Sequence, residues 1–124
     1  MILELDHVLL AAPAGNEEQA RAFYGGLLGL AELRKPPALA RRGGVWFALA
    51  ERQQLHVGIE AQFAPARKAH PALLLDSLEA LRSLAAELAG HGHEPRWDDE
   101  LPGAQRFYVD DPFGNRLELL ARER

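Results

Sequence analysis

The sequence predicts an α+β protein built from two consecutive copies of one structural unit. The same order of elements, a strand followed by a helix and then further strands, can be traced in residues 1–60 and again in residues 70–124. A residue with metal-coordinating chemistry stands in the first and the last strand of each copy. These residues are His7 and His56 in the first copy and His70 and Glu118 in the second. The separation from 7 to 56 differs by only one position from the separation from 70 to 118, which supports a duplication.

The composition excludes several classes of protein. The chain has 124 residues, 48% of them hydrophobic, which suits one compact domain with a substantial core. It has no apolar run long enough to span a membrane, no signal-peptide pattern and no cysteine. We therefore expect a cytoplasmic protein without disulfides or thiolate metal sites. A net charge of -4 argues against nucleic-acid binding, because that function needs a clustered positive surface.

In the first copy, alternating apolar residues predict strands at residues 5–10, 45–49 and 54–59. A helix is expected after Asn16, which is a favourable N-cap residue followed by acidic residues in the first turn. The apolar residues that follow at helical spacing are Ala20, Phe23, Tyr24, Leu27 and Leu28. Two consecutive glycines at 25 and 26 weaken the end of this helix.

The second copy repeats this order. Its predicted strands are residues 70–75, 106–109 and 116–120. A helix capped by Asp76 or Ser77 carries leucines at helical spacing and closes at Gly90. Between the last two strands, residues 110–115 read as a turn, because proline presets one backbone angle and glycine permits a positive φ.

The domain organisation follows from this repeat. Residues 1–60 form the first module, residues 61–69 a linker and residues 70–124 the second module. A module of about 60 residues is marginally stable alone, so the two should pack together within one chain or by exchange with a second chain. We therefore expect a homodimer as one form of assembly.

Strand alternation places the coordinating residues on matching faces. In residues 54–59 the apolar face is formed by Leu55, Val57 and Ile59, so His56 looks the other way. Glu118 occupies the equivalent face of the last strand.

A shared cation would explain these polar residues among apolar neighbours. An imidazole surrounded by leucines is costly unless its nitrogens have partners, and one ion can serve several groups. Imidazole and carboxylate ligands suit Zn, Fe, Mn, Ni or Co, and incomplete protein coordination leaves positions open for a substrate. The predicted ligands of this divalent ion are His7, His56, His70 and Glu118.

Four stretches of the chain carry a resemblance to a known family. They are residues 6–8, residues 22–30, residues 69–70 and residues 107–118, the last reading FYVDDPFGNRLE. They resemble the vicinal oxygen chelate superfamily, also called the glyoxalase, bleomycin-resistance and dioxygenase superfamily, and the resemblance covers essentially the whole chain.

The resemblance implies a fold and a site. The fold would be two tandem βαβββ modules whose curled mixed sheets surround a central cavity, often with modules paired across a dimer. The family's metal positions map onto the same four residues, His7, His56, His70 and Glu118. Of these, Glu118 and His56 would also be the catalytic residues.

The function implied is a metal-dependent enzyme acting on a small substrate that chelates the ion through oxygens. Isomerase or lyase, dioxygenase and thiol-transfer chemistry all remain open. His56 stands where glyoxalase I enzymes usually have glutamine or glutamate, and Leu9 stands where fosfomycin-resistance thiol transferases have threonine. The alternative is a non-catalytic protein, similar to bleomycin-resistance proteins, that sequesters a small molecule.

Three further residues are candidates for substrate binding, with a purely structural role as the alternative for each. Tyr108 could donate a hydrogen bond to a bound oxyanion. Trp46, with Phe47 and Trp97, could wall an apolar pocket. Arg67, close before His70, could steer an anionic substrate.

Overall fold

The computed structural model describes all residues, 1–124, and the chain divides into two compact units, Met1–Pro65 and Ala66–Arg124. The division falls inside residues 61–69, the segment assigned to the linker. Each unit contains a strand, a helical segment and three further strands, so the predicted α+β class and the tandem βαβββ modules are confirmed. None of the helices has the length and apolar character needed to cross a membrane.

The first unit is built on an open four-stranded mixed sheet. Its strands are β1 His7–Ala12, β2 Glu32–Leu33, β3 Val45–Ala48 and β4 Gln54–Ile59. The order across the sheet is β1-β4-β3-β2, with β1 parallel to β4 and the remaining pairs antiparallel. Helix α1, Glu17–Ala20, runs directly into a π-helical segment, Arg21–Leu27, and a short helix α2, Pro37–Ala40, lies between β2 and β3.

The helical segment of the first unit departs from the α-helix predicted after Asn16. The glycines at 25 and 26 favour a wider turn, in which the N–H of Leu28 donates to the carbonyl of Phe23, five residues earlier. Asn16 does precede the helix, but its amide donates to the carbonyl of Pro13 at 2.8 Å instead of capping. The first turn is held instead by Glu17, whose carboxylate accepts the N–H of Gly44 at 2.6 Å.

The core of the first unit lies between its sheet and this helical segment. Phe23 and Tyr24 on the helical side meet Phe47, Leu55 and Val57 on the sheet, and all five are fully buried. The expectation that Phe47 lines a pocket is therefore wrong, because its ring lies on the core face of β3. The opposite face of the sheet is not covered by this helical segment.

The second unit repeats the design with regular geometry. Its strands are β5 Ala72–Leu74, β6 Arg96–Asp98, β7 Ala104–Asp110 and β8 Arg116–Arg122, ordered β5-β8-β7-β6 with only β5 and β8 parallel. Helix α3, Leu78–Gly90, begins at Ser77, whose hydroxyl accepts the N–H of Ala80 at 3.0 Å. The predicted serine cap is thus confirmed.

The predicted turn between β7 and β8 is organised by Asp111. Its buried carboxylate accepts the backbone N–H groups of Phe113 at 2.9 Å and Asn115 at 2.8 Å. Gly114 adopts a φ of 92°, the conformation that glycine permits at low cost. This tight turn aligns β7 with β8 and so sets which residues face each other at the site.

Several strand boundaries in the structure differ from the predicted ones. The first strand begins at His7 rather than at residue 5, and His70 lies just before β5 because Pro71 separates it from the hydrogen-bonded ladder. The sequence patterns missed β2, α2 and β6, which are two to four residues long.

Candidate functional site

The strand registers place the predicted ligands at equivalent points of the two units. In the first unit His56 on β4 lies beside Leu9 on β1, which is two residues after His7. In the second unit Glu118 on β8 lies beside Ala72 on β5, which is two residues after His70. His56 and Glu118 therefore correspond to each other, each on the face of its sheet away from the main helical segment of its unit.

On the first unit, His56 lies between two other rings. Its imidazole stacks on Trp46 with centroids 3.9 Å apart and on His7 with centroids 4.3 Å apart. The three rings come from three adjacent strands, β3, β4 and β1, whose registers bring them onto one face. His56 lies between these rings and is only 5% exposed.

Hydrogen bonds indicate which ring nitrogen of His7 and which ring nitrogen of His56 carries the proton. Nδ1 of His7 contacts the carboxylate of Asp6 at 2.9 Å, and because a carboxylate only accepts, Nδ1 carries the proton and Nε2 has the free lone pair. Nε2 of His56 contacts Oε1 of Gln54 at 2.8 Å, which leaves Nδ1 as its lone-pair nitrogen. Burial lowers the pKa of His56, so His56 is neutral at pH 7.

A cavity of about 440 Å³ opens beside these rings in the first unit. His7, Trp46 and His56 line its aromatic side, while Lys35 and Arg42 line another part of it. Trp46 lines this cavity, and its contact with a substrate stays a prediction.

On the second unit, His70 and Glu118 are in direct contact. Nε2 of His70 lies 3.1 Å from Oε1 of Glu118, and Nδ1 of His70 lies 2.8 Å from the carbonyl oxygen of Lys68. Glu118 is only 6% exposed. The ring of His70 also meets the edge of Tyr108, with centroids 5.5 Å apart.

The second oxygen of Glu118 is held by Arg106 on the neighbouring strand β7. The guanidinium donates to Oε2 of Glu118 at 3.3 Å and to Asp98 on β6 at 3.2 Å. Asp98 also accepts the N–H of Glu100 at 2.8 Å, and these hydrogen bonds lower the pKa of Asp98, the backbone contribution being the larger. A continuous chain of polar contacts therefore crosses the sheet from β6 to β8.

The donor chemistry of both pairs fits a divalent ion. Neutral imidazole nitrogens and a buried carboxylate are ligands that Zn, Fe, Mn, Ni or Co accept, and the second nitrogen of His7 and of His70 is anchored, as is usual for metal-binding histidines. The structure contains no group of three or more histidine, cysteine, aspartate or glutamate side chains arranged to hold a metal. It contains one pair in each unit, so the four-ligand assignment stays a prediction.

The comparison with protein-family models decides the family. The model described as the Glyoxalase/Bleomycin resistance protein/Dioxygenase superfamily matches residues 4–119. The chain belongs to this superfamily. Its members generally use a divalent metal ion, typically act on small-molecule substrates and are often dimers.

Solved structures of superfamily proteins show the same fold. A glyoxalase family protein from Bacillus anthracis is 44% identical, with a TM-score of 0.92 over 99% of this chain and 98% of that one. Lactoylglutathione lyase from Agrobacterium tumefaciens is 20% identical, with a TM-score of 0.73 over 97% and 94%. The fosfomycin resistance protein FosX from Listeria monocytogenes is 18% identical, with a TM-score of 0.77 over 99% and 96%. No curated protein matches the chain in sequence.

Other residues of this superfamily member were assigned less well from the sequence. Arg67 is exposed and makes no hydrogen bond or ion pair, so its role in substrate binding stays a prediction. Trp97 lies on β6 of the second unit, is 51% exposed and lines a separate cavity of about 620 Å³ in that unit, whose lining also includes Asp98 and Arg106. The sequence analysis missed Gln54 and Asp98, whose roles depend on strand register.

Proposed function

We propose that this protein is a metal-dependent enzyme that binds a small substrate through oxygen atoms at a divalent ion held by His70 and Glu118. The observation that carries the proposal is the contact of 3.1 Å between Nε2 of His70 and Oε1 of Glu118. The superfamily membership supports the proposal, because members of this superfamily generally use a divalent metal ion.

The tautomer of His70 makes this contact informative. A backbone carbonyl can only accept, so the contact with Lys68 places the proton of the neutral imidazole on Nδ1. Nε2 then presents a lone pair to a carboxylate oxygen, and two acceptors at this distance repel each other. A cation bound by both atoms removes that repulsion and uses both lone pairs.

The burial of Glu118 strengthens the argument. A carboxylate that is only 6% exposed must be compensated by positive charge or hydrogen bonds. Arg106 serves Oε2, whereas Oε1 has only His70 beside it. A proton on Nε2 would also satisfy Oε1, and the metal analysis described below distinguishes the two cases.

The side chains around this pair have separate tasks. Glu118 and His70 would bind the ion, and Arg106 would keep the carboxylate oriented with Oε1 towards His70. When bound, such an ion acts as a Lewis acid that polarises the substrate oxygens. The additional ligands His7 and His56, the catalytic roles of Glu118 and His56 and the substrate contacts of Tyr108, Trp46 and Arg67 stay predictions.

The reaction is an isomerisation or lyase reaction, an oxygenation or a thiol transfer. A homodimer in the cytoplasm is the expected form of the enzyme, and this too stays a prediction. Neutral His56, stacked between Trp46 and His7, is a group that could accept a proton in the first of these reactions.

The test is the metal content of protein purified without added metal, measured by inductively coupled plasma mass spectrometry. We expect a near-stoichiometric divalent ion in the wild type and a loss of most of it in His70→Ala and in Glu118→Gln. His91→Ala is the matched control, because His91 is an exposed histidine outside the site, and it should retain the metal.

Two results would overturn the proposal. One is a wild type that neither contains a divalent ion nor binds one when Zn, Mn, Co, Ni and Fe salts are offered separately. The other is retention of the ion in both site variants, provided that circular dichroism shows them folded.

A further inference from the structure

The face of the second unit that carries His70 and Glu118 also carries a set of opposite charges in register. Three arginines and three carboxylates alternate across β6, β7 and β8. They are Arg96, Arg106, Arg116, Asp98, Asp110 and Glu118. Arg122, at the exposed end of β8, shares this alternation, so positive and negative groups are not equal in number and the partner of each arginine has to be identified individually.

Two of the arginines are paired with carboxylates. Arg96 donates to Asp110 at 2.9 Å, and Arg106 bridges Asp98 at 3.2 Å and Glu118 at 3.3 Å. Since Arg106 takes two carboxylates, all three acidic groups are engaged by two arginines. The third arginine, Arg116, has no carboxylate partner.

Arg116 is nevertheless held in place. It lies opposite Asp110 in the β7–β8 register, but Asp110 is turned to Arg96. Its guanidinium carbon instead lies 5.6 Å from the centroid of the Tyr108 ring, within the range of a cation–π contact, and the side chain is half-buried. A guanidinium held on an aromatic ring with its N–H donors free is prepared to receive an oxyanion.

The position of Arg116 relates it to the proposed metal ligands. It precedes Glu118 by two residues on β8, so the two side chains share a face, with backbone positions about 6.5–7 Å apart. Tyr108 contacts both Arg116 and His70. A molecule of a few carbon atoms could therefore reach from Arg116 to the His70–Glu118 pair.

We propose that Arg116 is a specificity-determining residue that binds an anionic oxygen group, a carboxylate or a phosphate-type group, of the small-molecule substrate. This inference rests on the proposed function for the statement that the bound molecule is a substrate. The anion site itself depends only on residues of the second unit and can be tested in metal-free protein.

The experiment follows the arginine Nε–Hε signals in nitrogen–proton correlation spectra of chelator-treated, metal-free protein. Acetate and inorganic phosphate are titrated separately at constant ionic strength against chloride. The signal of Arg116 is identified by its absence from Arg116→Gln. We expect this signal to shift in a saturable manner with at least one of the two anions. The binding in Arg116→Gln, followed through the backbone amide of Tyr108, should be weaker by at least about tenfold.

Arg122→Gln is the matched control, because it removes an exposed arginine of the same strand β8 that does not contact Tyr108 and whose loss releases no carboxylate. It should bind the anions as the wild type does, and both variants should retain the wild-type metal content. Saturation by acetate alone identifies a carboxylate group, and saturation by phosphate alone identifies a phosphate-type group.

The inference is overturned if neither anion saturates the Arg116 signal, or if Arg122→Gln weakens binding as much as Arg116→Gln does. These results differ from a failure of the proposed function, which would appear as missing metal with anion binding at Arg116 intact.

Discussion

The indole of Trp46 lies flat against the imidazole of His56, with ring centroids 3.9 Å apart and planes 1° from parallel. The contact joins β3 to β4 on the face of the first unit that carries the cavity beside His7, Trp46 and His56. The stack therefore contributes to the stability of the sheet and to the burial of His56.

Replacement of Trp46 should measure that contribution. We expect Trp46→Ala to lower the free energy of unfolding by about 2 kcal/mol, because both the ring contact and its buried apolar area are lost. Trp97→Ala removes the other tryptophan, which is 51% exposed, and should cost less than about 1 kcal/mol. Urea unfolding followed by circular dichroism gives both values, and equal losses would show that the stack adds nothing.

The hydrogen bond from Gly44 to Glu17 predicts a pH-dependent contribution to stability. This backbone hydrogen bond is the main reason why the pKa of Glu17 is lowered from 4.5. A group whose pKa is lower in the folded than in the unfolded chain stabilises the fold above the unfolded pKa, and loses that effect as the pH falls through the folded pKa. We expect Glu17→Gln to destabilise the protein by about 1 kcal/mol at pH 7.

The pH series supplies the control for Glu17. The difference in unfolding free energy between wild type and Glu17→Gln should shrink as the pH is lowered from 7 to 3. Glu18→Gln alters the adjacent, exposed glutamate and should leave stability nearly unchanged at both pH values. A difference that stays constant with pH would mean that the charge of Glu17 is not involved.

Two glycines with positive φ should respond very differently to alanine. A Cβ at Gly44 would collide with the backbone carbonyl of Val57, and its φ of 82° adds strain. Gly15 has a φ of 79° with no atom within 4 Å of the added Cβ. We expect Gly44→Ala to cost about 3 kcal/mol or more and Gly15→Ala only about 1 kcal/mol. Similar losses in urea unfolding would contradict the close approach at Gly44.

The serine at the start of α3 should stabilise the protein by as much as a typical helix N-cap does. Ser77→Ala removes the acceptor of the Ala80 N–H and should lower stability by about 1 kcal/mol. Ser83→Ala changes an exposed serine inside the same helix and should be neutral or slightly stabilising, because alanine has the higher helical propensity. Thermal unfolding of the two variants side by side checks the prediction, which fails if Ser77→Ala melts at the wild-type temperature.

Local patterns in the sequence predicted much of this fold. The strand Gln54–Ile59 was placed at its observed bounds because its alternation is regular, and Ser77 and the turn at Asp111 have strong local preferences. The elements that were missed are short and depend on pairing: β2 exists because Glu32 and Leu33 meet Phe47 and Trp46 across the sheet.

The site was also predictable only in part, because some of its contacts depend on how the strands pair. The equivalence of His56 and Glu118 follows from repeat spacing and strand alternation, both of which are visible in the sequence. The hydrogen-bond partners of Glu118 and His56 are not visible in the sequence. Arg106 reaches Glu118 from a neighbouring strand, and Gln54 reaches His56 only in the observed rotamers.

The wide helical turn between Arg21 and Leu27 has a consequence for the history of the chain. A π-helical turn closes its hydrogen bonds across five residues instead of four, so it accommodates more residues per turn than an α-helical turn. Deleting Gly25 or Gly26 should restore ordinary helical winding. This segment is therefore the point in the first unit where descendants can gain or lose a residue while the strands keep their partners.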